Sequence, residues 1–175
     1  MKRQSLRYRL LCVLSLVPAA ALLFVIFCFS NQNGESSGSL SAEISTAIVT
    51  SGDKILNLQL TEEEIITSSD SIHLLVRKAA HMTEYFLLLL CLFLPISLFF
   101  SKERFSFRRR LLLSFSLCLL FASFDELHQT MIPGRSGNGL DVSIDLIGSL
   151  AACLLIYLFF SRKSSKKASR KPAGH

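Results

Sequence analysis

Eleven polar residues that could take part in chemistry lie next to apolar runs of the chain. They are Lys78, His81, Glu84, Tyr85, Asp125, Glu126, His128, Gln129, Arg135, Asp141 and Asp145. A carboxylate beside an imidazole can orient it for proton transfer, and a guanidinium can bind a phosphate or a carboxylate. Charged groups within apolar segments are costly and are retained for pairing or for function. The set therefore predicts a ligand-binding or reactive site, with a salt-bridged structural network as the alternative.

Helical spacing predicts which of these side chains can meet. Residues three, four or seven positions apart lie on the same face of a helix. By this rule, three faces carry polar groups: Lys78–His81–Tyr85, Asp125–His128–Gln129, and Asp141–Asp145–Gly148–Ala152. The small residues of the third face would let a neighbouring membrane helix approach closely, or would mark a contact between subunits.

The elements that position these residues are apolar runs of the kind that cross membranes. Half of the residues are hydrophobic and mean hydropathy is +0.45, which exceeds what a chain this short can hide from water. Leu10 to Phe29 carries no charge and can cross a hydrocarbon core of about 30 Å as an uncleaved anchor. Three shorter runs follow at Tyr85–Phe100, Leu111–Phe124 and Leu146–Ser161.

The shorter runs can cross the membrane only by drawing in polar neighbours. At about 1.5 Å per residue, the run Leu111–Phe124 covers only about 21 Å. Basic residues fix one end of each run, so the extension falls at the other end, where the eleven polar residues lie. The sequence therefore predicts that three helices carry ionisable groups into one leaflet at similar depth.

The distribution of basic residues predicts the orientation. Most Lys and Arg lie before the first run, between residues 101 and 110, or after residue 161. The other side of the membrane would hold only Lys54, Arg77, Lys78 and Arg135. By the positive-inside rule, both termini are cytoplasmic.

The predicted fold is an all-α polytopic bundle of four transmembrane helices with a small external helical segment. The membrane domain would cover residues 1–161, with spans at about 10–29, 78–100, 108–128 and 141–161, the external segment at 30–73, and a disordered basic tail at 162–175. The external segment would begin as a flexible stretch over residues 31–38 and continue with weak amphipathic patterns at Leu40–Ile48 and Ile55–Leu60. Thr61 and Glu64 fit a capping box that starts a short helix. Pro133-Gly134-Arg135 indicates a tight return loop, whose arginine could brace the nearby carboxylates or bind a ligand.

Several classes of function are disfavoured. The basic residues follow the ends of the apolar runs and form no nucleic-acid-binding motif, so we expect no nucleic-acid partner. The five cysteines fall inside the apolar runs, which predicts small packing groups instead of disulfides or metal pairs. We expect no cofactor and no metal.

Three blocks of sequence resemble the VanZ-like family of bacterial membrane proteins. They are Phe29-Ser30-Asn31-Gln32; Arg77-Lys78-Ala79-Ala80-His81-Met82-Thr83-Glu84-Tyr85; and Asp125-Glu126-Leu127-His128-Gln129 with Pro133-Gly134-Arg135, Asp141, Asp145 and Gly148. Asn31 departs from the serine usual in the first block. The family's founding member is associated with low-level resistance to the glycopeptide teicoplanin. The resemblance thus implies a multi-pass protein of the bacterial plasma membrane whose partners are membrane lipids and a lipid-linked wall precursor or lipoglycopeptide.

Four kinds of activity remain open at this point. The first is non-enzymatic binding of an amphiphile, whose phosphate or carboxylate would meet Lys78, Arg135 and His81. The second is an enzyme acting on a lipid headgroup, with His81 or His128 as general base, although no recognised catalytic motif is present. A metal-assisted version and a proton-coupled carrier are the others. The sequence does not indicate an oligomeric state.

Overall fold

The protein is a bundle of helices arranged around one long central helix. The computed structural model describes residues 6–100, 105–135 and 137–169, with residues 161–169 as backbone only. Within these ranges the helices are α1 (Leu6–Leu14), α2 (Val17–Ser30), α3 (Gly34–Leu56), α4 (Glu62–Phe99), α5 (Phe107–Gln129) and α6 (Gly139–Ser169). Four segments are long and apolar enough to cross a membrane: Leu6–Ser30, Glu62–Phe99, Phe107–Gln129 and Gly139–Phe160. The predicted all-α, four-span class is confirmed.

The first span consists of two helices, where the sequence predicted a plain continuous anchor. Pro18 lies in the first turn of α2, and a proline ring removes one backbone donor and clashes with the carbonyl four residues earlier. The chain turns at Ser15 and Leu16, where the Leu16 N–H donates to the Val13 carbonyl at 3.1 Å. The Ser15 hydroxyl donates to the Cys12 carbonyl at 2.7 Å. The regular helix of the first span is therefore interrupted just before its proline.

Helix α4 forms the centre of the bundle, and each of the other helices contacts it. Its apolar half buries Tyr85, Leu88 and Leu89 completely, while side chains on the outer helices remain exposed on the faces that a lipid bilayer would cover. The polar residues of α4 come just before this buried stretch. Burial of one helix by five others therefore fixes the rotation at which Lys78 and His81 are presented.

Helices α4 and α6 approach each other closely at Gly148. A Cβ built on Gly148 would lie 2.0 Å from the Met82 carbonyl oxygen, a distance that no side chain can occupy. One and four residues further on, Ser149 and Ala152 are also fully buried. The stripe of small residues predicted from sequence is thus a contact within the chain, and not a surface free for another subunit.

The segment predicted to be external is a helical hairpin of α3 and the first part of α4. The capping box is confirmed, because the Glu64 N–H donates to Thr61 Oγ1 while the Thr61 N–H donates to the Glu64 carboxylate. The helix it starts is not short, however: α4 contains 38 residues, or about 57 Å. It continues into the second span because residues 62–94 contain neither glycine nor proline. The span therefore has no break at residue 78, where the sequence prediction began it.

The stretch predicted to be flexible, residues 31–38, contains the start of α3. Asn33 caps that helix by accepting the Ser36 N–H at 2.8 Å. The Gly34 N–H donates to the Pro133 carbonyl at 3.1 Å, and a Cβ on Gly34 would collide with Gly134. Polar turn-forming residues indicated a loop, but here they supply a helix cap and a contact with the return loop.

Two further boundaries differ from the prediction. Helix α3 ends at Leu56, followed by Asn57 in the left-handed conformation (φ 52°), so the pattern at Ile55–Leu60 is mostly a connecting loop. Helix α6 continues through residue 169, where a disordered tail was predicted from residue 162, because no helix breaker follows Phe160 before that point. The remaining tail residues 170–175, and the basic residues Lys2, Arg3, Lys102 and Arg104, lie outside the described residues.

Replacing Thr61 by alanine should destabilise the first turn of α4 by about 1 kcal/mol, because the capping box loses its hydroxyl acceptor. Hydrogen exchange should become faster at residues 62–65 and remain unchanged in the buried stretch around Leu88. Ser71→Ala, which removes an exposed hydroxyl bonded to the Ser68 carbonyl on the same helix, is the matched control and should leave the exchange of the first turn unaltered. Equal acceleration in both variants would contradict the role given to the cap.

Candidate functional site

A polar cavity of about 190 Å³ lies between α4, α5, α6 and the return loop, which the structure describes at residues 130–135 and 137–138. Its lining residues are Leu74, Arg77, Lys78, His81, Glu126, Gln129, Gly134, Arg135, Asp141, Ile144 and Asp145. Seven of the eleven residues selected from sequence are among them. The prediction that three helices and a loop bring charged groups to one place agrees with this geometry.

The other four selected residues line two neighbouring cavities. Glu84 contributes to a cavity of about 160 Å³ between α2, α3 and α4, whereas Tyr85, Asp125 and His128 line a cavity of about 270 Å³ between α2, α4 and α5. In the latter, the His128 ring stacks on Phe27, with ring centroids 5.2 Å apart. The eleven residues therefore do not form one cluster.

The predicted polar face of α5 is divided between two cavities. Gln129 Nε2 donates to Asp125 Oδ2 at 2.8 Å, as their spacing allows. Gln129 nevertheless lines the polar cavity while Asp125 faces α2. Glu126, which the spacing argument had left off that face, also lines the polar cavity. Residues three and four positions apart share a helix face only approximately. The packing of α5 against its neighbours places the boundary between the two cavities between Asp125 and Gln129.

The rim of the polar cavity carries an ion pair. Lys78 Nζ lies 2.6 Å from Asp141 Oδ1, joining α4 to α6, and both side chains are about one-third exposed. This pair uses the ammonium that the sequence had offered as an anion-binding group. Lys78 is therefore less available to a ligand than was predicted.

Breaking the Lys78–Asp141 pair should lower the free energy of unfolding only modestly, since partly exposed ion pairs contribute about 1 kcal/mol or less. We expect a double-mutant cycle with Lys78→Met and Asp141→Asn to give a coupling energy below about 1 kcal/mol. The measurement is the unfolding free energy of the four proteins in the same detergent. A coupling energy above about 3 kcal/mol would instead identify a desolvated structural bridge.

The return loop is held in place by backbone contacts on both sides. Glu126 Oε2 accepts the Asn138 N–H at 2.8 Å, and the Pro133 carbonyl accepts the Gly34 N–H. Gly134 adopts a positive φ of 74°, which favours glycine. These contacts fix the position of the next residue, Arg135, over the cavity.

Arg135 does not brace the carboxylates as the sequence allowed. Its Nη2 donates to the Phe29 carbonyl at the end of α2, at 2.9 Å, and within the described residues no carboxylate oxygen lies within 4.0 Å of it. Its Nε and Nη1 atoms are buried and have no hydrogen-bond partner among those residues. Burial lowers the pKa of the Arg135 guanidinium from its ordinary value, because the charged form has lost water. The two free donors can therefore receive an anion.

Arg77 is a further candidate site residue that is not among the eleven selected from sequence. It lines both the polar cavity and the cavity between α2, α3 and α4. The signal was present in the Arg-Lys pair that opens the second block of sequence, but the spacing argument started from Lys78. A residue adjacent to Lys78 lies about 100° around the helix, which places it toward α3.

Metal chemistry gains no support from the geometry. Among the described residues, no group of three or more His, Cys, Asp or Glu side chains is arranged to hold a metal ion. His81 Nδ1 lies 3.4 Å from Glu84 Oε2, without the alignment of a hydrogen bond. The site is better described as a set of separated charges than as a coordination sphere.

Comparison with protein families gives a match over most of the chain. Residues 15–160 match the family model described as VanZ/LLP1. The chain belongs to the VanZ/LLP1 family. No curated protein and no solved structure matches the chain. The resemblance inferred from the three blocks of sequence is thereby confirmed.

Membership in the VanZ/LLP1 family, together with four apolar helices, makes this an integral membrane protein. The matched range begins in the first span and ends in the fourth. It includes the polar cavity, the return loop and the α3–α4 hairpin. The family domain and the candidate site therefore belong to the same folded unit.

Proposed function

We propose that the protein binds the anionic headgroup of an amphiphile in its polar cavity, with the apolar part of that molecule in the adjoining cavity between α2, α3 and α4. The observation that carries this proposal is Arg135, whose buried Nε and Nη1 atoms have no partner among the described residues. A buried donor without an acceptor costs about 1–3 kcal/mol. An anionic ligand would supply that acceptor.

The two cavities together have the character of an amphiphile-binding site. They share Arg77, His81 and Arg135 as lining residues. On one side of this border lie the carboxylates and amides of the polar cavity. On the other side lie apolar side chains from α2, α3 and α4: Phe29, Leu40, Ile44, Val76 and Ala80. A headgroup and a lipid chain would each meet a matching surface.

The size of the polar cavity limits what can enter it. Cavities that enclose whole drug-sized ligands measure about 300–1,000 Å³, whereas this one measures about 190 Å³. A phosphate or carboxylate headgroup is therefore the part that binds there. In a lipid-linked wall precursor or a lipoglycopeptide, the sugar or peptide would remain outside.

The proposed setting is the bacterial plasma membrane with both termini in the cytoplasm, as the basic residues favour. The polar cavity would then open to the outer leaflet, where wall precursors and glycopeptides are encountered. Binding there would let the protein contribute to tolerance of a glycopeptide such as teicoplanin. This part of the proposal is supported by the family's founding member and by the distribution of charge.

The test is native mass spectrometry of the purified protein with two short-chain lipids that differ only by a phosphate. We expect phosphatidic acid to remain bound and diacylglycerol with the same chains to be lost. An excess of that diacylglycerol should not displace the phosphatidic acid, because it lacks the phosphate that would bind Arg135. Equal retention of both lipids would show that the contact is apolar only, and the proposal would fail.

An enzyme acting on a lipid headgroup is the second candidate. His81 lines both cavities, and its Nδ1 atom lies 3.4 Å from the Glu84 carboxylate, close enough for that carboxylate to act electrostatically on an imidazole that serves as general base. In such an enzyme His81 would activate water, since the described residues that line the polar cavity include no serine, threonine or cysteine. Incubation with envelope phospholipids would release a headgroup if this reading is right, and His81→Gln would stop the release.

A further inference from the structure

A second ionisable side chain without a partner lies in the polar cavity. The Asp145 side chain lines it, is only 1% exposed, and its Oδ2 atom has no hydrogen-bond partner among the described residues. Burying a carboxylate without a partner costs several kcal/mol. This position therefore calls for a cationic or hydrogen-donating group.

Three of the four basic residues that line the polar cavity lie closer to other groups. Lys78 is paired with Asp141 at 2.6 Å, Arg135 donates to the Phe29 carbonyl, and the carboxylate nearest to His81 Nδ1 is Glu84 at 3.4 Å. Within the described part of the chain, no basic nitrogen lies within 4.0 Å of the Asp145 carboxylate. Its charge is therefore not met by a direct ion pair in the protein.

Arg135 and Asp145 are thus two side chains without an ion-pair partner, one basic and one acidic, that line one small cavity. They are kept apart by their backbones, since Arg135 lies on a loop fixed through Glu126 and Gly34, whereas Asp145 lies in the close contact between α6 and α4. A purely structural network would be expected to bring such charges together. Their separation leaves room for a ligand that carries both complementary charges.

We propose that the headgroup bound in this cavity is zwitterionic: its anionic group meets Arg135 and Arg77, and its ammonium group meets Asp145. This inference rests on the proposed function and adds the class of headgroup. The shared chemistry is an anion joined by a short linker to a primary amine, as in an ethanolamine phosphate. The molecule could be a membrane lipid or a soluble aminophosphate, and the test separates these two sources.

The first experiment varies the ligand and leaves the protein unchanged, so that it does not depend on folding of a variant. Short-chain phosphatidylethanolamine, its N-acetylated form and phosphatidylglycerol with the same chains are titrated into the full-length protein in detergent. We expect phosphatidylethanolamine to bind at least about tenfold more tightly than the other two lipids. A hydrogen bond to a charged group commonly changes affinity by about this factor. Equal affinity for all three would overturn the inference.

The soluble headgroup identifies the source. If phosphoethanolamine without acyl chains competes at a concentration similar to that of the lipid, the ligand is a soluble aminophosphate, and the charge-pair inference stands. If it competes only at concentrations several orders of magnitude higher, the ligand is a lipid, and the inference also stands. Competition by inorganic phosphate as effective as that by phosphoethanolamine would contradict it, because the amine would then contribute nothing.

The matched variants are Asp145→Asn and Asp70→Asn, which remove the same charge. Asp70 is exposed on α4 and does not line the polar cavity. Asp145→Asn should reduce phosphatidylethanolamine affinity to that of phosphatidylglycerol and leave phosphatidylglycerol affinity unchanged, and Asp70→Asn should alter neither. Equal loss for both lipids in Asp145→Asn would overturn the ammonium contact.

Failure of this inference differs from failure of the proposed function. If phosphatidylglycerol binds through Arg135 and the amine adds nothing, the anion site stands and only the zwitterion is lost. If no phosphate lipid binds more tightly than diacylglycerol, both are lost.

Discussion

Replacing Gly148 by alanine should reduce the unfolding free energy by about 2–3 kcal/mol, the cost of overpacking a close helix contact. The new Cβ would lie 2.0 Å from the Met82 carbonyl oxygen. A carbonyl cannot rotate away as a side chain can, so α4 and α6 must separate. Because Tyr85 and Asp145 lie near the same contact, the separation should also widen the polar cavity and weaken ligand binding.

The control for this substitution is Gly52→Ala. Gly52 lies inside α3, and nothing lies within 4 Å of a Cβ placed there. An alanine at an open helical position is expected to raise stability by about 0.5–1 kcal/mol. Unfolding in a denaturing detergent, followed by circular dichroism, measures both variants. Similar stability of Gly148→Ala and the parent protein would show that α4 and α6 do not touch at this point.

Replacing Arg135 by glutamine should weaken binding of a phosphate-bearing lipid by about 10- to 100-fold, since a hydrogen bond to a charged group contributes about 1.5–3 kcal/mol. Stability should fall by only about 1 kcal/mol through loss of the bond to the Phe29 carbonyl. The lipid affinity of Arg135→Lys should lie between those of the parent protein and Arg135→Gln, because an ammonium keeps the charge but cannot present two parallel donors.

The matched control for Arg135 is Arg108→Gln. Arg108 is exposed near the start of α5, at the other end of that helix from the polar cavity. The Arg108→Gln substitution removes the same charge as Arg135→Gln, so any general effect of net charge on lipid retention should appear in both variants. Titration with short-chain phosphatidic acid gives the two affinities. Equal weakening in both would remove the specific role assigned to Arg135.

Span lengths made the polar region predictable from sequence. Three apolar runs too short to cross a membrane had to draw in charged neighbours, and seven of the residues chosen on that basis line the polar cavity. The close helix contact at Gly148 was also predictable, because membrane helices approach each other closely where side chains are small. These inferences depend on length and composition, which a single sequence contains in full.

The rotation of each helix could not be read from spacing. Asp125 and Gln129 are hydrogen-bonded yet line different cavities, because packing of α2 on α5 sets where one face ends. The position of Arg135 depends on contacts made by Gly34 and Glu126, which are far from it in sequence. Residues in an irregular loop carry no periodic signal that would place them.

Some errors concern signals that were present in the sequence. Pro18 indicated a break in the first span, and the absence of glycine and proline over residues 62–94 indicated a continuous α4. Asn33 lies in the stretch predicted to be flexible, although asparagine is among the preferred helix caps. In each case the prediction followed the overall polarity or apolarity of the segment, and not the one local residue that indicated the correct structure.

The central claim is that an amphiphile binds with its headgroup in the polar cavity and its chain in the adjoining one. Photo-cross-linking tests this most directly, using phosphatidic acid with a diazirine near the headgroup and mass spectrometric mapping of the labelled residues. We expect labelling of residues that border both cavities, above all Arg77, His81 and Arg135. An excess of unlabelled phosphatidic acid should suppress it. Labelling confined to lipid-facing positions such as Phe24 and Leu154, and not reduced by competitor, would contradict the account.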